Sequence, residues 1–475
     1  MAKPLNSHTT PPPHEFGPIA NRGPNPLQID PAPARCLSSL ITTLFENWKA
    51  HGITFLILRN YENLPQATTN DIDVLLLPQQ LAEAEQVMVT TARQAGYELH
   101  NRVEFSPISF FFFHLQSLQQ IQIDLFFGLK WRGFAMLSPL QLMAKRIDRP
   151  LFAIPHPVHE AILNLLTRLI HHGYVRDKYK PSILAGFRSA PEEARAILSE
   201  LFGSSLAHEV VEHSLNESWS EVERRWKVLR KSLVRRQLIR HPWLTLRSQA
   251  YDLARAVKRV IHPPGLTVVL LGADGSGKST VCQKLATHLQ NTFNPGKGLQ
   301  LHWKPVVFFR KRRKSGKPIT NPHDQPLRNH LASLIYLAYH WLEFFLGSQL
   351  QFWPATFKNG LVLIDRYYYD FLVDQKRYRL QVPPWVVRAA FRLVWKPDLV
   401  FLLDAPAEVL QARKQEVPLA ETARQREAYR RLVAKLPNGF IVDASQPADR
   451  VATEIAGRIL HTMVMRNRRI QTPAR

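Results

Sequence analysis

The stretch TVVLLGADGSGKSTVCQKL, residues 267–285, decides how the C-terminal half of the chain folds. Residues 266–271 form a run of apolar and β-branched residues, which favours a central parallel strand covered on both faces. Val281, Leu285 and Leu289 then recur every four residues and predict the packed stripe of a helix. The glycine-rich segment between them therefore joins a buried strand to a helix.

This segment satisfies the pattern G-x-x-x-x-G-K-[ST], in which backbone N–H groups and the start of the helix point at phosphate oxygens. Lys278 adds positive charge at the transferring group, and the Ser279 hydroxyl reaches Mg²⁺. We therefore predict ATP and Mg²⁺ as cofactors. The residues predicted to bind the nucleotide are Gly272, Asp274, Gly275, Ser276, Gly277, Lys278, Ser279 and Thr280.

Three more apolar runs follow, within residues 360–370, 397–410 and 438–445, and each ends in polar residues. An open α/β sheet binds its ligands at the carboxyl ends of its parallel strands. The polar residues that become candidates by this position are Asp365, Arg366, Asp404 and Asp443. For Asp443 a turn or a helix cap is the favoured interpretation.

Taken together, G-x-D-G-x-G-K-S-T, the later D-R-Y and the segment that begins P-D-L resemble the thymidylate kinase family over residues 266–462. The resemblance implies phosphorylation of a nucleoside monophosphate, dTMP in that family. It implies that Asp274 contacts the acceptor sugar and that Arg366 holds the acceptor phosphate. Asp365 would help organise Mg²⁺ together with Ser279, Lys278 would act on the transferring phosphoryl group, and Arg413 would start a mobile lid.

The lid would comprise residues 412–436, a charged helical stretch that contains Arg424, Arg426, Arg430 and Arg431. Closure of such a segment supplies positive charge to the phosphates and expels water. The alternative is that these arginines face solvent.

The acceptor stays open at the level of sequence. A monophosphate is already an anionic nucleophile, whereas an alcohol needs a carboxylate as base. Asp274 and Asp365 are compatible with either type of acceptor. The alternatives are therefore a kinase for a sugar or glycan intermediate, and a nucleotide-binding regulator or scaffold with little turnover.

The first half of the chain carries Asp71 and Asp73, which would share one face of a strand because side chains alternate there. Asp124 lies on the second strand of a predicted hairpin within residues 108–129. Three such aspartates resemble the polymerase-β-type nucleotidyltransferases, over residues 37–150, and imply a site for divalent metal ions. Arg59 would replace the glycine-serine pair with which that family grips phosphate. The alternative is a degenerate or binding-only module.

The fold class we predict is α/β: a P-loop parallel sheet flanked by helices, preceded by an α+β nucleotidyltransferase-like domain with a helical extension. The boundaries, in order, are a disordered proline-rich arm at 1–34, the nucleotidyltransferase-like domain at 35–150, a helical extension and basic linker at 151–262, the kinase-like domain at 263–465 and a basic tail at 466–475.

A net charge of +24 indicates an acidic partner beyond the nucleotide or small phosphorylated substrate. Residues 224–261 could contact an anionic membrane or a glycan, or form a solvated helical linker. Residues 310–317 are interpreted as a mobile loop near phosphates. Residues 331–347 are the most apolar stretch of the chain, but His340 and Glu343 interrupt it, and it is too short for a membrane-spanning helix. A buried helix is the favoured interpretation. We expect a cytoplasmic protein, peripheral at the inner membrane surface, and an oligomer is possible.

Overall fold

The computed structural model describes residues 31–68, 71–294, 296–305, 307–308, 326–415 and 417–471. These residues form two compact units. One contains the described residues of 31–262 together with those from Met463 onward, and the other contains the described residues of Pro263–Thr462. Most of the expected arm at 1–34 and the basic loop at 310–317 lie outside the described residues.

The first unit begins with a mixed α and β region. Its strands are β1 (Phe55–Ile57), β2 (Ile72–Leu76), β3 (Tyr97–Glu104), β4 (Ile108–His114), β5 (Gln120–Phe126), β6 (Leu129–Trp131), β7 (Phe134–Leu137), β8 (Ile147–Asp148) and β9 (Ala153–Ile154). Its first helices are α1 (Pro31–Ala50), α2 (Leu81–Gln94) and α3 (Pro139–Ala144), with a 3₁₀ turn at Pro78–Gln80.

A run of helices completes this unit. They are α4 (Pro157–His172), α5 (Lys180–Ser189), α6 (Pro191–Phe202), α7 (Ser204–Leu215), α8 (Trp219–Arg224), α9 (Trp226–Arg240) and α10 (Pro242–Ile261), with a 3₁₀ turn at Asp177–Tyr179. The apolar face of α4 is fully buried at Ile162, Leu166 and Leu169 and forms the centre of their core.

Seven strands of the first unit form one sheet in the order β3-β4-β5-β2-β1-β9-β8, and β6 pairs with β7 separately. Strands β4 and β5 form the expected antiparallel hairpin. Strand β5 also pairs in parallel with β2, with Asp73 opposite Asp124. The sheet includes β9, so it continues past residue 150. Its topology places two of the three predicted aspartates side by side.

The second unit is an alternation of strands and helices. Its strands are β10 (Leu266–Leu271), β11 (Leu299–His302), β12 (Leu361–Asp365), β13 (Leu399–Asp404) and β14 (Gly439–Asp443). Its helices are α11 (Lys278–His288), α12 (His330–Gly347), which continues through a π-helical turn at Ser348–Phe352, α13 (Trp353–Phe357), α14 (Asp370–Val373), α15 (Pro384–Phe391), α16 (Ala407–Arg413), α17 (Leu419–Val433) and α18 (Ala448–Gln471). Helix α18 begins in this unit, belongs to the first unit from Met463 onward, and runs through the start of the predicted tail.

These five strands form a parallel sheet in the order β11-β12-β10-β13-β14. Every residue of β10 is buried, as an apolar strand at the centre of a covered sheet must be. Val281, Leu285 and Leu289 are also buried, so the predicted stripe of α11 is packed. The predicted fold class, a parallel P-loop sheet flanked by helices after an N-terminal α/β region, is confirmed.

Helix α12 buries one face and exposes another, whereas the sequence predicted a buried helix. His340 and Glu343 are buried, but Leu331 and Ile335 are exposed on another face. The prediction was therefore wrong for that face, because an apolar run cannot tell a covered surface from an uncovered one. Among the described residues, no helix is both long and apolar enough to cross a membrane.

Candidate functional sites

The glycine-rich loop after β10 depends on backbone conformations that favour glycine. Gly272, Gly275 and Gly277 have φ angles of 147°, 84° and 80°. A Cβ on Gly275 would collide with the carbonyl oxygen of Leu410. The loop therefore keeps its path only with glycine at these positions, and α11 starts directly after it, with Gly277 at its N-cap.

Lys278 is buried at the start of α11 and points back at its own loop. Its Nζ donates hydrogen bonds to the carbonyl oxygens of Gly272 and Ala273, both at 2.9 Å, and to Ser276 Oγ at 3.2 Å. Burial lowers the pKa of Lys278 to about 8, and the neighbouring Arg366 cation acts in the same direction. The ammonium thus lies among loop atoms that surround a phosphate in proteins with this motif.

Asp365, the last residue of β12, lies opposite the start of α11. Its Oδ2 accepts a hydrogen bond from Ser279 Oγ at 2.6 Å and lies 3.3 Å from His302 Nδ1. Burial alone would raise the pKa of Asp365, but the His302 hydrogen bond, the Lys278 charge and the Ser279 hydroxyl lower it to about 2. Its Oδ1 is buried without a hydrogen-bond partner.

An ionised carboxylate beside a hydroxyl is the oxygen donor set that Mg²⁺ prefers. The second oxygen of this carboxylate, Asp365 Oδ1, is buried without a hydrogen-bond partner, whereas buried acceptors normally have one. The residues present therefore fit the predicted Mg²⁺ site at Ser279 and Asp365.

Asp274 links the loop to two arginines. Arg366 Nη2 donates to Asp274 Oδ1, and Arg377 Nη1 donates to Asp274 Oδ2 at 2.6 Å. Arg366 also pairs with Asp370 at 3.1 Å. Although burial opposes the charge, Asp274 and Asp370 hold the pKa of Arg366 well above its ordinary value. The arginine therefore stays charged, and its left-handed φ of 71° aims it from the end of β12.

Aromatic side chains surround the far side of this ion network. Tyr429 and Tyr378 donate their hydroxyls to Asp370, at 2.9 and 3.3 Å. Trp303 stacks on Tyr378 with ring centroids 5.3 Å apart, and its backbone N–H bonds to the Asp365 carbonyl at 2.7 Å. The aromatic rings of Trp303 and Tyr378 therefore lie next to Asp365, and the Tyr378 hydroxyl contacts the ion network.

Asp404, at the end of β13, binds the predicted lid. Arg426 donates to both of its carboxylate oxygens at 2.7 and 3.0 Å, and Arg430 donates to one at 2.8 Å. The lid segment is not one continuous helix, because α16 ends at Arg413 and α17 begins at Leu419.

The other predicted arginines have different partners. Arg424 binds Glu421 and Arg431 binds Glu427, both at the surface of α17. Arg413 donates to the carbonyl oxygens of Ala444 and Ser445, just after β14, at 2.7 and 3.2 Å. It therefore joins the end of α16 to that loop.

Two further candidates occupy peripheral positions. Asp443 accepts hydrogen bonds from the backbone N–H and the hydroxyl of Ser445, which is the geometry of a turn. Thr280 is exposed on α11. Neither residue is part of the ion network of Asp274, Arg366, Arg377 and Asp370 described above.

In the first unit, Asp71, Asp73 and Asp124 come together. One ligand oxygen of each lies within 4.8 Å of the others. Burial raises the pKa of Asp73 and of Asp124, and repulsion from the neighbouring carboxylates acts in the same direction. Asp73 Oδ2 accepts a hydrogen bond from Arg59, whereas its buried Oδ1 has no partner. The set fits a divalent cation that prefers oxygen donors.

Sequence reasoning missed two residues of the C-terminal site. His302 ends β11, so the strand-end rule that selected Asp365 also applies to it. Arg377 follows α14 in an irregular segment, and the charged run QKRYR after D-R-Y was its only signal. Its contact with Asp274 depends on tertiary structure.

Comparison with known proteins agrees with this geometry. The thymidylate kinase family model matches residues 271–455. A thymidylate kinase of Xanthomonas euvesicatoria pv. vesicatoria (strain 85-10) is 28% identical over 202 residues, which cover 40% of this chain and 81% of that protein. One of Desulfotalea psychrophila (strain LSv54 / DSM 12343) is 26% identical over 215 residues, 42% of this chain and 98% of that protein. The C-terminal half of the chain is therefore a thymidylate kinase-like phosphotransferase domain.

Proposed function

We propose that Pro263–Thr462 transfers the terminal phosphoryl group of ATP to a nucleoside monophosphate, with dTMP as the first candidate because the similar proteins are thymidylate kinases. Mg²⁺, held by Ser279 and Asp365, would neutralise phosphate charge during transfer. Among the alternative acceptors, a nucleoside monophosphate is the one most consistent with the surroundings of Asp274 and Asp365.

The observation that supports this acceptor class is that neither Asp274 nor Asp365 is suited to act as a general base. An alcohol acceptor needs a carboxylate to take its proton, and such a base works best with a pKa near the working pH. Asp365, with a pKa of about 2, is a weak base. Both oxygens of Asp274 are bound by arginines. A monophosphate needs no base, and the paired cations Arg366 and Arg377 suit its charge.

In this mechanism the loop residues orient the donor through backbone N–H groups. Lys278 must leave the carbonyl oxygens of Gly272 and Ala273 to place its ammonium at the transferring group. Arg366, aligned by Asp274 and Asp370, holds the acceptor phosphate in line. Asp365 stays ionised and takes no proton.

The test is a panel of acceptors. Purified full-length protein is given ATP and Mg²⁺ with dTMP, dUMP, dCMP, AMP or a set of free sugars, and ADP release is measured against Lys278→Ala. We expect nucleoside monophosphates to raise turnover by at least tenfold over that control. A rate raised only by sugars would favour the glycan alternative. No increase with any acceptor would favour the regulator or scaffold.

We propose a second function for the first unit, supported by the three convergent carboxylates: a nucleotidyltransferase-like site that binds Mg²⁺ or Mn²⁺ through Asp71, Asp73 and Asp124. Wild type and Asp71→Asn/Asp124→Asn are titrated with Mn²⁺ by equilibrium dialysis, with exposed Asp177→Asn as the matched control. Loss of one or more bound ions only in the double variant is expected. Equal binding by all three proteins would remove the site from consideration.

Docking of residues 224–261 on an anionic membrane or a glycan, and self-association, stay predictions about the whole chain.

A further inference from the structure

Helix α10 packs against the first unit with its polar face. Thr245 is 3% exposed, and Gln249 lies so close to Gly133 that a Cβ there would meet Gln249 Cγ at 2.9 Å. Arg259 donates to the carbonyl oxygen of Glu104, the last residue of β3, and Arg255 donates to that of Phe105, which follows it. These contacts set the rotation of the helix about its axis.

The apolar stripe of α10 consequently points away from this packing. Its members recur at helical spacing and are all exposed: Trp243 at 80%, Leu246 at 58%, Leu253 at 66%, Val257 at 48% and Ile261 at 64%. A helix in a globular protein normally buries such a stripe. An outward stripe of this length marks an interaction surface.

The charge around the stripe selects the partner. Residues 224–261 contain twelve lysines and arginines and one acidic residue. Lys227, Lys231, Arg235, Arg240 and Arg247 are exposed on α9 and α10. A second copy of this surface would meet it with like charge, which opposes pairing. A glycan or a nucleic acid would match the charge but would leave the aliphatic stripe in water.

An anionic lipid bilayer satisfies both features. Helices that lie in the membrane interface place an apolar face with Trp or Leu among the acyl chains and bring Lys and Arg to the headgroups. We propose that α10 docks the protein on an anionic phospholipid surface, with Trp243, Leu246, Leu253 and Val257 inserted and the basic residues of α9 and α10 at the headgroups. The polar face keeps its contacts with the first unit, so docking requires no unfolding.

The test is co-sedimentation of the full chain with vesicles of phosphatidylcholine alone or of phosphatidylcholine and phosphatidylglycerol. The stripe variant is Leu246→Gln/Leu253→Gln/Val257→Gln. The matched control is Leu331→Gln/Leu334→Gln/Ile335→Gln, three exposed apolar residues of α12. We expect binding only to anionic vesicles, weaker at high salt, and at least tenfold weaker in the stripe variant but unchanged in the control.

A second measurement covers the case in which the stripe variant folds poorly. Trp243→Phe changes one exposed ring, and brominated anionic lipids should quench the fluorescence of wild type more than that of this variant. The proposal is overturned if wild type does not sediment with anionic vesicles, or if the stripe variant sediments like wild type. It is also overturned if light scattering without lipid shows a dimer that only the stripe variant loses and vesicles bind neither protein.

Discussion

At the scale of single residues, the buried ammonium of Lys278 makes nucleotide binding depend on pH. Its folded-state pKa of about 8 lies below the ordinary lysine value, because burial disfavours the charge. Phosphate binding needs the protonated form, so the affinity for ATP should fall above pH 8, by up to about tenfold per pH unit. Below that pH the amine is already charged, and the affinity should level off.

This prediction is measured by titrating ATP against the protein between pH 6.5 and 9.5. Lys278→Arg is the matched variant because arginine stays charged over this range. Whatever its absolute affinity, its titrations should lack the decline above pH 8. The same decline in both proteins, or none in wild type, would show that Lys278 is not the titrating group.

Arg377 allows a second test at the residue scale. Its hydrogen bond of 2.6 Å to Asp274 places a cation beside the acceptor arginine Arg366. A charge-assisted hydrogen bond contributes about 1.5–3 kcal/mol, so Arg377→Ala should lower kcat/KM for the acceptor by at least about tenfold. The KM for ATP should change much less. Exposed Arg388→Ala is the control, and equal kinetics in both variants would remove Arg377 from the site.

The contrast between Lys278 and Arg377 shows which site residues a sequence can predict. Lys278 lies in a motif whose spacing itself requires the conformation, since Gly275 and Gly277 need left-handed φ angles. Arg377 reaches Asp274 only because the irregular segment after α14 brings it there. No local pattern encodes that contact.

At the scale of elements, Asp404 fixes the position of α17. It accepts three hydrogen bonds from Arg426 and Arg430. Removing the carboxylate takes away the hydrogen-bond acceptor of both arginines. Because both side chains are partly exposed, the loss should lower the local stability of α17 by only about 1–2 kcal/mol. In Asp404→Ala, amide hydrogen exchange of Leu419–Val433 should therefore be about tenfold faster.

The matched variant for this experiment is Glu427→Ala, which breaks the exposed pair with Arg431 on the same helix. It should leave the exchange of α17 nearly unchanged, because exposed pairs contribute little. Mass spectrometry of peptides from Leu419–Val433 gives both rates. Equal exchange in the two variants would mean that Asp404 does not hold the helix.

Helices and strands with a clear pattern of apolar residues could be predicted from the sequence, but which of their faces are buried could not always be. Strand β10 begins and ends with the run of apolar and β-branched residues at 266–271, because a strand covered on both faces is composed largely of such residues. The amphipathic pattern of α10 predicts a helix with two faces. It does not say which face is packed, and here the polar face is held by Arg255 and Arg259. That choice depends on carbonyl oxygens that lie 150 and 155 residues earlier in the chain.

At the scale of the whole molecule, the two units have separate hydrophobic cores with no residue in common among those described. One unit packs around α4 and the first sheet, and the other around β10, β12 and β13. We therefore expect two thermal transitions. ATP with Mg²⁺ at about 100 times its Kd adds about 2.7 kcal/mol to the unit that binds it. For a unit of this size the shift is about 5–10 °C.

Differential scanning calorimetry with and without ATP and Mg²⁺ measures this shift, and two variants assign it. Lys278→Ala should abolish the shift of the Pro263–Thr462 transition, whereas Asp73→Asn should leave it intact. Mn²⁺ alone should instead raise the other transition in Lys278→Ala but not in Asp73→Asn, because the three carboxylates repel one another until a cation neutralises them. A single transition that both ligands raise together, and that each variant weakens alike, would show that the two units unfold as one.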